Sequence, residues 1–261
     1  IEGQRNPFYC AMVEELDYHM GKVFTYLNNT DDPRWPGHKL SENTYVLFTS
    51  DNGGMEGHPG EVITDNYPLD KGKISAMEGG IRVPLIITGP GIRAGVESDV
   101  MVNGLDFYPT ILTLTKTPKP KDKNLDGCDL SDLLRDDPSN SRLVRDKQGK
   151  PRNSMIWHFP HSVALESSIR VEGFKLIRNY DHKYNSNTPE LELYQLYRNV
   201  NGKQVRVDLE EANNLVASKP ELANELNREL TSALNEMNAS YPYYNPRAAR
   251  IGMEKNQTPR I

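Results

Sequence analysis

Cysteine is scarce in this sequence, because the 261 residues include only Cys10 and Cys128. Two cysteines allow at most one disulfide, and we expect two free thiols. Long apolar runs are also missing, and none approaches the roughly 20 residues that span a bilayer. The sequence therefore predicts no membrane-spanning segment.

The chain also lacks an excess of basic residues. Its formal net charge is −5 and it has no long run of lysine or arginine, which argues against nucleic acid as the main partner. Apolar residues make up 36% and charged residues 26% of the chain. This composition is typical of globular rather than disordered proteins.

Helical and strand patterns alternate over residues 1–118, which predicts an α/β domain there. Apolar runs at 44–50 and 83–88 are short and rich in β-forming residues. Such runs are typical of strands covered on both faces, as in a parallel sheet.

Two helices are expected in this first domain. One covers residues 7–28, with Asn6 as its cap, and apolar residues at helical spacing predict a buried stripe of Met12, Leu16, Val23 and Leu27. The other covers 105–114, with Asp106 near its start as a cap.

The rest of the chain divides into a polar linker over 119–152 and a C-terminal subdomain over 153–261. Strands are predicted in the subdomain at 154–159, 167–173, 174–180 and 191–196. A last helix is expected from Ser218, with a capping box that includes Glu221, and its apolar face comprises Leu222, Leu226, Leu230, Ala233, Leu234 and Met237. The pattern predicts a small antiparallel α+β unit.

The first strand ends in Asp51 and Asn52, followed by two glycines. Ligands in open α/β sheets bind beyond the carboxyl ends of strands. Carboxylate and amide oxygens are hard ligands suited to Ca²⁺ or Mg²⁺, and glycine lets the backbone approach an ion closely. The alternative is a local turn in which Asp51 bonds the following backbone nitrogens.

The segment after this loop carries further charged candidates. Lys73 offers an ammonium group suited to a tetrahedral oxyanion. Glu78 and Arg82 have the spacing to pair and hold the loop, either as part of the site or as a surface salt bridge. His58 is a candidate substrate contact or leaving-group acid, and a solvent-facing loop histidine is the alternative.

Several of these motifs together resemble the sulfatase family. They are "TSDNGG" (49–54), "GK" five residues before "EGGIRVP" (78–84), then "GPG", "DFYPTIL", the earlier "YCAMVEELDYHMGKV" (9–23), and the late "ELYQL" and "EEANNLV". The resemblance extends from about residue 6 to 240.

The resemblance implies an alkaline-phosphatase-like α/β fold, present here in part, with a small C-terminal antiparallel sheet domain. It implies hydrolysis of sulfate esters by a formylglycine made from a C/S-x-P-x-R motif, with Ca²⁺, or Mg²⁺, orienting the sulfate. By position, Asp51 and Asn52 would bind the metal and Lys73 the sulfate. The substrate would be a sulfated small molecule or glycan, and the compartment would be the periplasm, the lysosome or the exterior.

The sequence departs from the family pattern, because it contains no C/S-x-P-x-R motif and lacks the family's early metal-binding Asp pair and the arginine, lysine and histidines that surround the formylglycine. It also begins with Ile1 and shows no signal peptide. We therefore expect the C-terminal part of a sulfatase, without the formylglycine half, inactive alone and prone to self-association through uncovered apolar surface. The alternatives are a phosphatase or phosphodiesterase of the same superfamily, and a non-catalytic glycan- or protein-binding module.

Overall fold

The computed structural model describes residues 6–56, 63–161, 164–182, 185–201 and 203–242. These residues form two compact units. The first contains the described residues of Ile1–Glu14, Ser50–Pro84 and Ser154–Ile261, and the second those of Glu15–Thr49 and Leu85–Asn153. The fold is mixed α/β with antiparallel sheets, and the domain boundaries proposed from the sequence stay a prediction.

The first unit is built on a four-stranded antiparallel sheet. Its strands are β3 (Ser154–Phe159), β4 (Glu166–Val171), β5 (Phe174–Asn179) and β6 (Leu191–Gln195). Each strand pairs antiparallel with the next strand in the chain. All four predicted strands are confirmed within two residues. Glu172 adopts a φ of 50° in the turn between β4 and β5, next to Gly173.

One face of this sheet is covered by the helix α5 (Pro220–Glu236). The alternate strand residues Ile169, Leu176 and Leu193 form one apolar core with buried leucines of the helix. The helix is confirmed, but Ser218 does not cap it: Lys219 holds the cap position, and the Ser218 hydroxyl donates to the carbonyl of Leu215. The predicted apolar face is also too long, because Met237 is 58% exposed.

The opposite face of the sheet is covered by loops. A second apolar cluster there comprises Met77, Ile177, Tyr194, Leu196, Tyr197 and Leu209. The hairpin of β7 (Tyr197–Val200) and β8 (Lys203–Arg206) follows the sheet. The segment before the short helix α2 (Glu78–Ile81) therefore packs directly on the C-terminal sheet.

The second unit contains the two-stranded sheet of β1 (Val46–Thr49) and β2 (Leu85–Thr88). These strands pair antiparallel, so the parallel arrangement expected from their apolar runs is wrong. Ile86 is 60% exposed, and β2 alternates between half-buried and exposed positions. An apolar run indicates a strand, but it does not fix the direction of the partner strand.

A small core holds the rest of the second unit together. The helices α3 (Phe107–Leu114) and α4 (Ser131–Arg135) belong to this part, and its buried cluster comprises Cys128, Leu130, Leu133 and Val144. The segment predicted as a linker therefore contributes buried residues. Both cysteines are free, as expected, with Cys10 exposed and Cys128 buried.

Asp106 is buried and does more than cap a helix. Its Oδ2 accepts from the Asn103 N–H at 2.8 Å and so closes a 3₁₀ turn before α3. Asp106 holds the cap position of α3, but its side chain makes no capping hydrogen bond to that helix. Its Oδ1 accepts from the Cys128 N–H at 2.8 Å and from the Arg152 guanidinium at 2.7 Å. The carboxylate thus ties three distant segments of this unit.

The helix α1 (Pro7–Asn29) is confirmed, and Asn6 caps it by accepting from the N–H groups of Phe8 and Tyr9. Its buried stripe is wrong, because no residue of α1 is buried and Met12 is 71% exposed. The apolar face meets no cover in the part of the chain that the structure describes. No helix among the described residues has the length and apolarity to cross a membrane.

Candidate functional site

The Asp-Asn-Gly-Gly loop follows β1 directly and begins at an exposed carboxylate. Asp51 Oδ1 accepts from the Asn52 N–H at 3.0 Å, and the Ser50 hydroxyl donates to the Asn52 carbonyl at 2.8 Å. Of the local bonding considered from the sequence, one hydrogen bond between Asp51 and the adjacent backbone nitrogen is present. This hydrogen bond uses one carboxylate oxygen and leaves the Asp51 side chain at the surface, where a ligand can reach it.

Gly53 locks this loop to the Glu-Gly-Gly turn by close backbone contact. Its N–H donates to the Gly80 carbonyl at 2.9 Å, and a Cβ at Gly53 would lie 1.6 Å from the Gly79 oxygen. No other residue fits without moving the backbone. The glycine after Asn52 therefore serves the contact between two loops.

The lysine segment is held against the same loop. The Lys73 N–H donates to the Gly54 carbonyl at 2.9 Å, and the Asn66 amide bridges Gly54 O at 3.1 Å and Lys71 O at 3.0 Å. Lys73 is exposed. Next to it, Ile74 has a φ of 71°, a strained conformation for a β-branched residue.

The structure thus brings together the segments of Asp51, Asn52 and Lys73 through backbone hydrogen bonds. Asn66 was not found from the sequence, because an asparagine in a polar loop carries no functional signal by itself. His58 lies outside the described residues.

Glu78 and Arg82 pair as predicted, with 3.5 Å between Glu78 Oε2 and the Arg82 guanidinium. The surface setting is wrong, however, because Glu78 is only 1% exposed. Arg170 lies 3.8 Å from the same oxygen, and Lys175 Nζ lies 3.1 Å from Oε1. Burial raises the pKa of Glu78, but attraction to Lys175 and Arg170 outweighs it and holds the pKa below its usual value.

Lys175 is fully buried and touches a second carboxylate. Its Nζ lies 2.7 Å from Glu211 Oε1, and Glu211 Oε2 accepts from the Glu78 backbone N–H at 2.6 Å. Burial raises the pKa of Glu211 to about 7, against the opposing attraction of Lys175. Sequence reasoning missed both residues, since nothing local in "FKLIR" or "EEANN" indicates a buried charge.

The donor set at the strand end suits a hard cation but is incomplete. Asp51 and Asn52 supply two oxygen ligands, whereas Ca²⁺ takes six to eight. The described residues contain no group of three or more His, Cys, Asp or Glu side chains placed to hold a metal. A full coordination sphere therefore needs ligands beyond these two.

A cavity of about 480 Å³ lies in the same unit, and its polar lining is acidic, with Glu56, Asp65, Asp70 and Glu210. Tyr67 closes one side, and its hydroxyl donates to Glu210 at 3.2 Å. Four carboxylates repel an anion. This cavity is therefore unsuited to a sulfate group, in contrast to the surface near Lys73.

Comparison with known proteins gives two family matches. The family described as Sulfatase matches residues 4–117, and the family described as N-sulphoglucosamine sulphohydrolase, C-terminal, matches residues 70–240. The second match alone covers more than half of the chain.

Individual relatives agree with these matches. A sulfatase of Formosa agariphila is 35% identical over 246 residues, which are 88% of this chain and 40% of that protein. Human steryl-sulfatase is 32% identical over 164 residues, or 60% of this chain and 27% of that protein. The chain spans well under half the length of these relatives.

A solved structure described as Ps i-CgsB superposes with a TM-score of 0.62 at 22% identity, and the match covers 88% of this chain and 44% of that one. At this identity the likeness shows the fold.

Proposed function

The chain belongs to the sulfatase family, and from this premise we propose that the whole protein hydrolyses sulfate esters of a small molecule or glycan with the help of a divalent cation. Asp51 and Asn52 would hold Ca²⁺, or Mg²⁺, together with ligands from elsewhere in the protein. The metal would neutralise the sulfate and orient it. Lys73 would contact the sulfate oxygens.

The observation that supports this proposal most is the backbone bonding between the two loops. Gly53 bonds Gly80, and Lys73 bonds Gly54, each at 2.9 Å. Because both loops share one hydrogen-bonded frame, the backbone positions of Asp51, Asn52 and Lys73 keep a fixed relation. Preorganised charge of this kind lowers the barrier where negative charge develops.

Hydrolysis of a sulfate ester needs a nucleophile that attacks sulfur. In the sulfatase family this nucleophile is a formylglycine, and this sequence has no C/S-x-P-x-R motif from which it could be made. We propose that a formylglycine in the whole protein provides the nucleophile. The 261-residue chain alone would then give no turnover of 4-nitrophenyl sulfate. Measurable hydrolysis by the purified chain would contradict this part of the proposal.

The test uses the whole protein and the variants Asp51→Ala and Lys73→Ala. Each should lower kcat/KM for 4-nitrophenyl sulfate by about 10²- to 10³-fold. Asp122→Ala and Lys121→Ala are matched controls, because both residues are exposed and lie in another part of the sequence, and they should leave the rate unchanged.

Metal dependence is tested separately by removal with a chelator. The activity of the parent protein should disappear and return on addition of Ca²⁺ or Mg²⁺, and calorimetry should show weaker cation binding for Asp51→Ala. Full activity after complete metal removal, or parent-like rates for both variants, would refute the proposed roles.

The compartment is a further proposal, made by analogy with the family: the whole protein is exported or lysosomal. Cell fractionation of the native source would test it. Recovery of the whole protein only in the cytosol would refute it.

A further inference from the structure

Lys175 stands in an unusual place for a lysine, the interior of a β-sheet face. Its side chain is 0% exposed, and its neighbour on the same face of β5 is Ile177, part of an apolar cluster with Met77. Its ammonium lies between Glu78 at 3.1 Å and Glu211 at 2.7 Å. One cation therefore joins a carboxylate of the Glu-Gly-Gly turn to a carboxylate that follows the sheet.

Stability alone does not account for this arrangement. Taking charges out of water is costly, and well-packed apolar residues of similar size often give an equally stable or more stable protein. Each buried carboxylate does have a cationic partner, since Lys175 lies beside both. Arg82 and Arg170 also face Glu78. The distinctive property of the arrangement is the fixed position that it gives to the turn.

The hydrogen bonds lead from this ion cluster to the candidate site in short steps. The Glu78 N–H donates to Glu211 Oε2 at 2.6 Å. The next residue, Gly79, donates its N–H to the Asp70 carbonyl at 2.9 Å, and the Gly80 carbonyl accepts from the Gly53 N–H at 2.9 Å. Gly53 directly follows the Asp51–Asn52 pair.

We propose that Lys175 and Glu211 are positioning residues: together they clamp the Glu-Gly-Gly turn to the C-terminal sheet, and the turn fixes the backbone that presents Asp51, Asn52 and Lys73. The assignment of a site to those three residues rests on the function proposed above. The clamp itself rests only on the contacts of the described residues. The C-terminal sheet is then a support for the site, although it lies far from it in sequence.

Amide hydrogen exchange, measured by mass spectrometry on the 261-residue chain, tests the clamp without any activity assay. Lys175→Met keeps the length of the side chain and leaves Glu211 without its cation. It leaves Glu78 with only the more distant Arg82 and Arg170. Peptides from 50–56 and 70–82 should exchange on the order of tenfold faster or more, while α5 stays protected.

Arg178→Met is the matched control, because Arg178 lies on the same strand but on the opposite face, where it bonds Asn227 of α5. It should loosen α5 and leave the two loop peptides unchanged. Unchanged exchange in the loops of Lys175→Met, or an equal increase over the whole chain, would overturn the clamp.

Glu211→Gln gives a second test should Lys175→Met fail to fold. Glutamine keeps an oxygen that can accept from the Glu78 N–H but removes the charge that faces Lys175. Exchange of the same two loops should again rise selectively, by a smaller factor. If Lys175→Met does not fold and the two loops of Glu211→Gln exchange at the parent rate, the proposal is overturned.

The whole protein then tests whether the clamp serves catalysis. Glu211→Gln should lower kcat/KM and cation affinity by about 10- to 100-fold, whereas Arg178→Met should leave both near the parent values. Suppose that Asp51→Ala inactivates the protein, while Glu211→Gln has faster-exchanging loops but parent activity. This result would refute the positioning role and leave the proposed site standing. Parent activity in Asp51→Ala and Lys73→Ala would instead refute the proposed site and leave the clamp standing.

Discussion

The two faces of the four-stranded sheet are stabilised by different physics. On the α5 face, Leu176 and its neighbours meet Leu226, Leu230 and Leu234 in one apolar core. On the other face, apolar residues surround a buried ion cluster centred on Lys175. The first face is held mainly by removal of apolar surface from water, which has no direction and no charge. The second face combines this with directional contacts that depend on ionisation.

This difference separates stability from positioning. Apolar packing tolerates small shifts of one element over another, because many weak contacts are exchanged for similar ones. A buried ammonium between two carboxylates tolerates far less, because a charge that loses its partner remains in a medium of low dielectric. The face that carries the candidate site is the one with the stricter geometry.

The largest effect on this comparison should come from Leu230→Ala in the helix face. Leu230 is fully buried, and the cavity left in a packed core should lower the free energy of unfolding by about 3 to 5 kcal/mol. Urea denaturation followed by circular dichroism measures it. Met237→Ala on the same helix is the control and should change stability by about 0.5 kcal/mol or less. Equal effects of both would show that the helix face is not a packed core.

The ion cluster should make stability depend on pH, and Glu211→Gln isolates this contribution. With a pKa near 7 in the folded chain and an ordinary value of 4.5, folded Glu211 holds a proton that the unfolded state loses between these values. Its contribution to stability is therefore present below about pH 4.5 and is lost as pH rises through 7. The loss should be on the order of 3 kcal/mol.

The measurement is the free energy of unfolding of parent and Glu211→Gln at a series of pH values from 5 to 8. The difference between the two curves removes the contributions of titrating groups that do not interact with Glu211. The parent should lose stability relative to the variant as pH rises. A constant difference over this range would contradict the raised pKa of Glu211.

A smaller effect is expected from Arg178→Met on the helix face. Its guanidinium donates to the Asn227 side chain at 2.8 Å and to the Asn227 carbonyl at 2.8 Å. Hydrogen bonds to a charged group contribute about 1.5 to 3 kcal/mol, so a loss of about 2 kcal/mol is expected in urea denaturation. Arg178→Lys should recover only part, because lysine lacks the planar fork. A loss no larger than that of Met237→Ala would refute the contribution of these hydrogen bonds.

Much of the helix face could be predicted from the sequence, because its signals are local. Alternating apolar residues give β4 and β5, and helical spacing of leucines gives α5. The loop with Asp51 and Asn52 also follows from local signals, namely a strand that ends in two hard oxygen ligands and two glycines.

The other face could not be predicted, since its contacts join residues far apart in the chain. Lys175 and Glu78 are separated by 97 positions, and Glu211 and Glu78 by 133. A lysine in a strand pattern indicates an exposed position on average. Only the tertiary structure shows that three segments converge to bury and neutralise it.

The smallest change in the free energy of unfolding is expected from Leu16→Ala in α1. This variant extends the comparison to a helix whose apolar face is not covered by any of the described residues. Leu16 has the same helical pattern as Leu230, yet it is 51% exposed, whereas Leu230 is 0% exposed. Truncation removes little buried surface, so the free energy of unfolding of the 261-residue chain should change by about 0.5 kcal/mol or less.

A loss near that of Leu230→Ala would mean that α1 is covered in solution. Sedimentation analysis of the same sample at two concentrations would then show whether a second copy of the chain provides that cover. The periodic pattern that the two helices share identifies an apolar face, and the burial of that face depends on what lies against it.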